Sequence, residues 1–174
     1  MDLINRVAQS EIEVYDLAAL WDGAPTVELD IKPFLTGGLV VREKEFRALV
    51  REHAWDAYTG KHVAVYCSTQ AIVPTWAYLL VASQLAGRVR SVAYGRAQDL
   101  MEEYYSRALA AEDWSRYQDR MVVIKGCGAL EVPVSAYVTA MARLQSVTRK
   151  LMFGEPCSSV PLWRRRKAEA QTTV

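Results

Sequence analysis

Three cysteines, Cys67, Cys127 and Cys157, are the residues of this 174-residue chain whose type and setting could do chemistry. Each is followed within a few residues by Val-Pro, at Val73-Pro74, Val132-Pro133 and Val160-Pro161. Ser68 and Ser158 directly follow two of them and offer hydroxyls suited to helix or turn caps. A thiol beside a helix N-terminus feels positive partial charge, which favours the thiolate that binds metal or attacks electrophiles. Lys125, two residues before Cys127, acts in the same direction. Three thiolates suit a soft or borderline metal, either zinc with one further ligand or an iron–sulfur cluster with one iron left open. Glu155 or Glu131 in the fourth place would close the site, whereas water or substrate there would leave it open to Lewis-acid chemistry. His62 opens a strand at the opposite edge and His53 ends a helix, so both read as surface residues. The chain has no C-x-x-C pair, which keeps two other readings in play. One is a thiol redox enzyme or sensor with Cys67 foremost. The other is a non-catalytic interaction module whose cysteines are buried and inert.

The elements that must hold these residues follow from a recurrence in the middle of the chain. Trp55, Tyr58, Lys61, Val63 and Val65 match Trp114, Tyr117, Arg120, Val122 and Ile124, each 59 residues later. Pro74, Ala77 and Tyr78 match Pro133, Ala136 and Tyr137 at the same offset, as Tyr94-Gly95 matches Phe153-Gly154. The β-branched runs 62–66 and 121–125 predict buried strands, and the stretches after Pro74 and Pro133 predict helices over 74–86 and 133–148. Further strands are expected at 26–31, 89–94 and 150–153, and further helices near 43–53 and 98–111. The alternation of strand and helix predicts an α/β fold with a largely parallel sheet flanked by helices, built from two tandem βα repeats. The expected organisation is a single domain over 1–163, with repeats at about 43–95 and 102–154, followed by a basic tail over 164–174. In such a sheet ligands bind outside the carboxyl ends of the strands, and each cysteine follows a predicted strand there. Trp76, at the start of a post-cysteine helix, could wall a pocket on that rim, although volume-filling is the commoner use of such a ring.

With 21 basic and 20 acidic side chains, the balance argues against a broad nucleic-acid or acidic-lipid footprint. The local exception is Trp163 to Lys167, where four consecutive basic residues could meet phosphate, RNA or an acidic partner, or simply be solvated. At this length roughly 70% of the unfolded surface is buried on folding, so a core forms without disulfides or a structural metal. The longest apolar run, Trp76 to Ala82, is far short of a bilayer span, and charges interrupt the first twenty residues. The expected compartment is therefore the cytoplasm, with the cysteines reduced. No G-x-G-x-x-G or P-loop pattern supports nucleotide binding, and no enzyme class follows.

The runs C-S-T-Q-A-I-V-P-T-W-A-Y from Cys67, K-G-C from Lys125 and F-G-E-P-C-S-S-V-P-L-W from Phe153 resemble a bacterial family labelled domain of unknown function 2480, typical of the Bacteroidetes group. I-N-R-V-A from Ile4 and D-I-K-P-F-L from Asp30 are similar to it too, so the resemblance spans nearly the whole chain. All three cysteine motifs carry over intact to Cys67, Cys127 and Cys157. The resemblance implies a setting near iron–sulfur assembly genes and tilts the metal towards iron. The resulting expectation is a cytoplasmic protein holding zinc or an iron–sulfur cluster through these three cysteines, with a role in metal or cluster handling. A protein partner or a homo-oligomer fits that role, and no membrane or specific nucleic acid is expected.

Overall fold

The computed structural model describes residues 12–126, 128 and 130–166. Among the described residues seven strands and four helices follow one another, mostly alternating: β1 (Ile12–Tyr15), β2 (Thr26–Asp30), α1 (Glu43–Glu52), β3 (His62–Tyr66), α2 (Thr75–Leu85), β4 (Ser91–Tyr94), α3 (Ala97–Ala111), β5 (Met121–Ile124), α4 (Val134–Val147), β6 (Lys150–Glu155) and β7 (Ser158–Arg164). The strands form two sheets, ordered β2-β3-β4 and β1-β5-β6-β7. Every pairing is parallel except that of β6 with β7. The fold is thus α/β with largely parallel strands flanked by helices, as the periodicity predicts, with the strands divided between two compact units. The first unit comprises residues 22–104, and the second joins the described residues up to Trp21 with the described residues from Tyr105 onwards. No helix among the described residues is long and apolar enough to cross a membrane.

In the first unit β3 is central, in register with β2 from Thr26↔His62 and with β4 from His62↔Ser91. Its residues His62 to Val65 are all buried, because neighbours occupy both edges and side chains cover both faces. Val63 and Val65 pack in a core with Phe46 and Val50 of α1 and with Ala77, Val81 and Leu85 of α2. Those helical residues recur every four positions, so each helix presents one apolar stripe to the sheet. Trp55 fills the same core and donates its indole N–H to the Val50 carbonyl at 2.7 Å, tying down the end of α1. Pro74 and Pro133 are the last extended residues before α2 and α4, where a missing N–H costs no helical bond.

In the second unit β5 and β6 follow β1 in parallel, and β6 turns back into β7 through a tight hairpin. Elements recur 59 residues apart between the units: the 3-10 turns Trp55–Tyr58 and Trp114–Tyr117, then β3 and β5, α2 and α4, β4 and β6. Gly60 and Asp119, also 59 apart, both hold a positive φ, 73° and 56°. Strands β1 and β7 have no counterpart in the sequence expectations. Both are edge strands among the described residues, and an edge need not be apolar on either face: Glu13 lies within β1, and Pro161 is tolerated in β7 because one side of its backbone faces no described strand.

Candidate functional site

The three-cysteine metal site is overturned. Cys67 follows β3 in the three-stranded sheet, whereas Cys157 lies in the turn between β6 and β7 of the four-stranded sheet. Cys127 lies outside the described residues. Among the described residues no group of three or more His, Cys, Asp or Glu side chains is placed to hold a metal ion. Zinc, an iron–sulfur cluster and a role in metal handling are all withdrawn with it. The physical reason is that the parallel strands build two sheets instead of one, so the thiols of β3 and β6 share no rim. In addition, β6 runs directly into a hairpin, so Cys157 does not head a βα loop.

The residues expected around the thiols have other work. The Lys125 ammonium donates to the Asp16 carboxylate at 2.8 Å. Glu155 is half-buried in β6 opposite Ser158, and Glu131 is exposed in the loop before α4. The backbone N–H of Ser68 donates to Asp30 at 3.0 Å. Trp76 is a packing residue, edge-to-face against Phe46 at 5.6 Å with the Arg47 guanidinium 5.4 Å above its ring.

Cys67 is half-buried, beside Thr69, whose Oγ1 lies 3.4 Å from the sulfur. Thr69 spends its own hydroxyl proton on the Gly38 carbonyl at 3.2 Å, which leaves its oxygen as the acceptor for the Cys67 S–H. Cys67, Tyr94 and Asp30 are the ionisable groups that act on Tyr78. Tyr78 is pushed up to about 12, first by burial and then by Tyr94, Cys67 and Asp30, so it stays a neutral phenol. Burial pushes the Asp30 carboxyl up, but hydrogen bonds from Ser68 and Lys32 outweigh it and hold the group below the usual carboxylate range.

What the carboxyl edge of the three-stranded sheet does offer is an apolar cleft of about 400 Å³, lined by Leu39, Val40, Val41, Gln70, Ala71, Ile72 and Pro74. It lies between the loop that follows β2 and the loop from β3 to α2. Gly37 and Gly38, at φ 59° and 71°, make a turn that L side chains rarely adopt, and Thr36 and Val40 close it with two backbone hydrogen bonds of 2.8 and 3.2 Å. Thr69 fastens this turn to the opposite loop through Gly38. Gly37-Gly38 is visible in the sequence as a turn, but nothing local shows that the turn comes to face Ile72.

At the amino edge of the same sheet, His62 departs from its surface reading. It is 1% exposed, with Nδ1 2.7 Å from the Ser91 hydroxyl and Nε2 2.9 Å from the Asp22 carboxylate, and the Tyr104 ring sits edge-on to it at 5.3 Å. The Asp22 carboxyl is held below its ordinary range chiefly by the bond to His62, then by the Ala24 N–H. The histidine therefore stitches together the loop before β2, β3 and β4. His53 is half-buried between Phe34 and Trp55, with Nε2 3.2 Å from the Tyr58 hydroxyl.

Fold and site together define an α/β protein of parallel-sheet units with an open apolar cleft at one carboxyl edge. The chain belongs to the family described as Protein of unknown function (DUF2480), which it matches over residues 1–165. No curated protein and no solved structure matches it.

Proposed function

We propose that this protein is an interaction module that docks an apolar segment of a partner protein in the cleft of Leu39, Val40, Ile72 and Pro74. The observation that carries this reading is that Ile72 is 95% exposed, with Leu39 at 63% and Val40 at 55% around the same cleft. Three aliphatic side chains held in water on one feature mark a binding surface, since lone exposed apolar residues scatter. The partner is a protein because the lining side chains protrude: a small ligand would leave them wet, whereas a protein surface encloses them from all sides. Gln70 is the one polar side chain in the lining, which supplies contact area and no proton-transfer group. Free thiols at Cys67 and Cys157 fit a reducing compartment such as the cytoplasm.

The test places a photo-crosslinking side chain at position 72 of the full chain in its native host, with the exposed position 102 of α3 as control. The expected result is a discrete adduct with one other protein from position 72, absent from 102 and lost when Leu39→Asp is added. The purified partner should then bind the Ile72→Asp variant at least tenfold more weakly, since burying one such side chain contributes about 1.5–3 kcal/mol. No adduct, adducts indistinguishable from the control, or adducts with further copies of this chain alone would overturn the reading.

A further inference from the structure

One wall of the cleft has the pattern of a strand without a strand beside it. Over residues 70–74 exposure alternates: Gln70, Ile72 and Pro74 are exposed, whereas Ala71 and Val73 are half-buried and pack against the core. That period of two belongs to an extended chain. Pro74 is itself extended, at φ −63° and ψ 145°, and a residue before proline is kept out of the helical region, which carries the same conformation back to Val73. Both ends of the stretch are fixed. The Thr69 hydroxyl donates to the Gly38 carbonyl at 3.2 Å on one side, and Pro74 leads directly into α2 on the other.

Among the described residues the backbone N–H groups of Gln70, Ala71, Ile72 and Val73 find no hydrogen-bond partner, and neither do the carbonyls of Gln70, Ala71 and Ile72. Water satisfies them while the cleft is open. A partner that covers Ile72, which is 95% exposed, also strips water from the peptide groups on either side of it, and a polar group left dry and unpaired costs its whole desolvation penalty. The partner must therefore bring donors and acceptors of its own at peptide spacing. An extended chain does so with its backbone, and its alternating side chains point one in every two towards the surface it joins. No charged side chain lines the cleft, so the residues that face Ile72, Leu39 and Val40 are apolar. Seven residues line it, against roughly 20–30 a side for a stable interface between folded proteins, which favours a short segment over a second copy of this chain.

We infer that residues 70–73 are an edge to which an extended segment of the partner protein adds as a strand, setting alternate apolar side chains between Ile72 and the turn of Leu39 and Val40. The inference rests on the cleft being the docking site, and it names the form of what docks there. Because the edge is held at both ends, little ordering of this chain is left for binding to offset.

The test selects random peptides of about twelve residues, long enough for a strand of usual length, on the immobilised full chain. The best binder is then synthesised with each backbone amide N-methylated in turn, and fluorescence anisotropy reads its affinity for the full chain and for the Ile72→Asp variant, whose fold circular dichroism checks. The expected result is a peptide with apolar residues at every second position, bound at least about tenfold more weakly by Ile72→Asp. N-methylation of alternate amides should weaken binding at least about fivefold, since each removes a hydrogen bond, and the intervening amides should tolerate it. Binding that depends on Ile72 but ignores N-methylation at every position would overturn strand addition and leave the cleft as a docking site. Selected peptides that bind a folded Ile72→Asp equally well, or no selected peptide at all, would overturn both. A dimer of the full chain that Ile72→Asp disperses, seen by sedimentation, would overturn the inference in favour of a second copy.

Discussion

His62→Ala is the substitution on which a surface histidine and the structural one differ most. The structure assigns His62 a bond to a carboxylate and a bond to a hydroxyl, both from a ring that is 1% exposed. A hydrogen bond to a charged group contributes about 1.5–3 kcal/mol and a neutral one about 1 kcal/mol. Removing the ring also forfeits its packing against Tyr104 and leaves Ser91 without that partner. The expected loss is about 3 kcal/mol, against about 0.5 kcal/mol or less for a substitution on an open surface. Urea unfolding followed by tryptophan fluorescence measures it, and with slopes of ~1–3 kcal/mol per molar the midpoint should fall by at least about 1 M. The pH dependence supplies a second check. Because the Asp22 carboxyl is lowered by His62, the stability it contributes is fully present above the ordinary carboxylate value of ~3.9 and is lost as pH falls through its lower folded value. The gap between wild type and variant should therefore narrow on acidification below about pH 4. A loss of under 1 kcal/mol at neutral pH would refute the reasoning.

Gly154 holds φ 120°, and an added Cβ would lie 2.8 Å from the Ser158 carbonyl oxygen. Gly154→Ala should destabilise by at least about 2 kcal/mol, combining backbone strain with a clash that a hairpin backbone cannot yield to cheaply. Gly60→Ala, at φ 73° with open space around its Cβ, should cost about 1 kcal/mol in the same urea assay. Alkylation of single-cysteine variants should label Cys157, exposed in its turn, much faster than half-buried Cys67, and equal rates would contradict the burial assigned here.

Most of the secondary structure was legible from local pattern. The β-branched runs at 62–66 and 121–125, the fourfold spacing of Phe46 with Val50 and of Ala77 with Val81 and Leu85, and the prolines before α2 and α4 depend only on each residue's near neighbours. The α/β class followed from their alternation. Edge strands β1 and β7 escaped because an edge strand needs no apolar periodicity: it is recruited by the open hydrogen-bond row of β5 or β6.

What only the tertiary structure decided is which elements share a sheet. Hydrogen-bonded pairing between β1 and β5 joins residues over a hundred positions apart, and no local signal records it. That choice separated the strands carrying Cys67 and Cys157 and removed the common rim on which a metal site depended. It also aligned His62 with Ser91 across β3 and β4, turning a strand-opening histidine into a buried tie. The Gly37-Gly38 turn came to face Ile72, and Arg149 came to lie beside Arg165, by the same means. Residue type and spacing determine what each segment can form, because those preferences are short-range. Which side chains meet is decided by long-range pairing and burial, because these depend on the whole set of segments competing for one another's edges and faces.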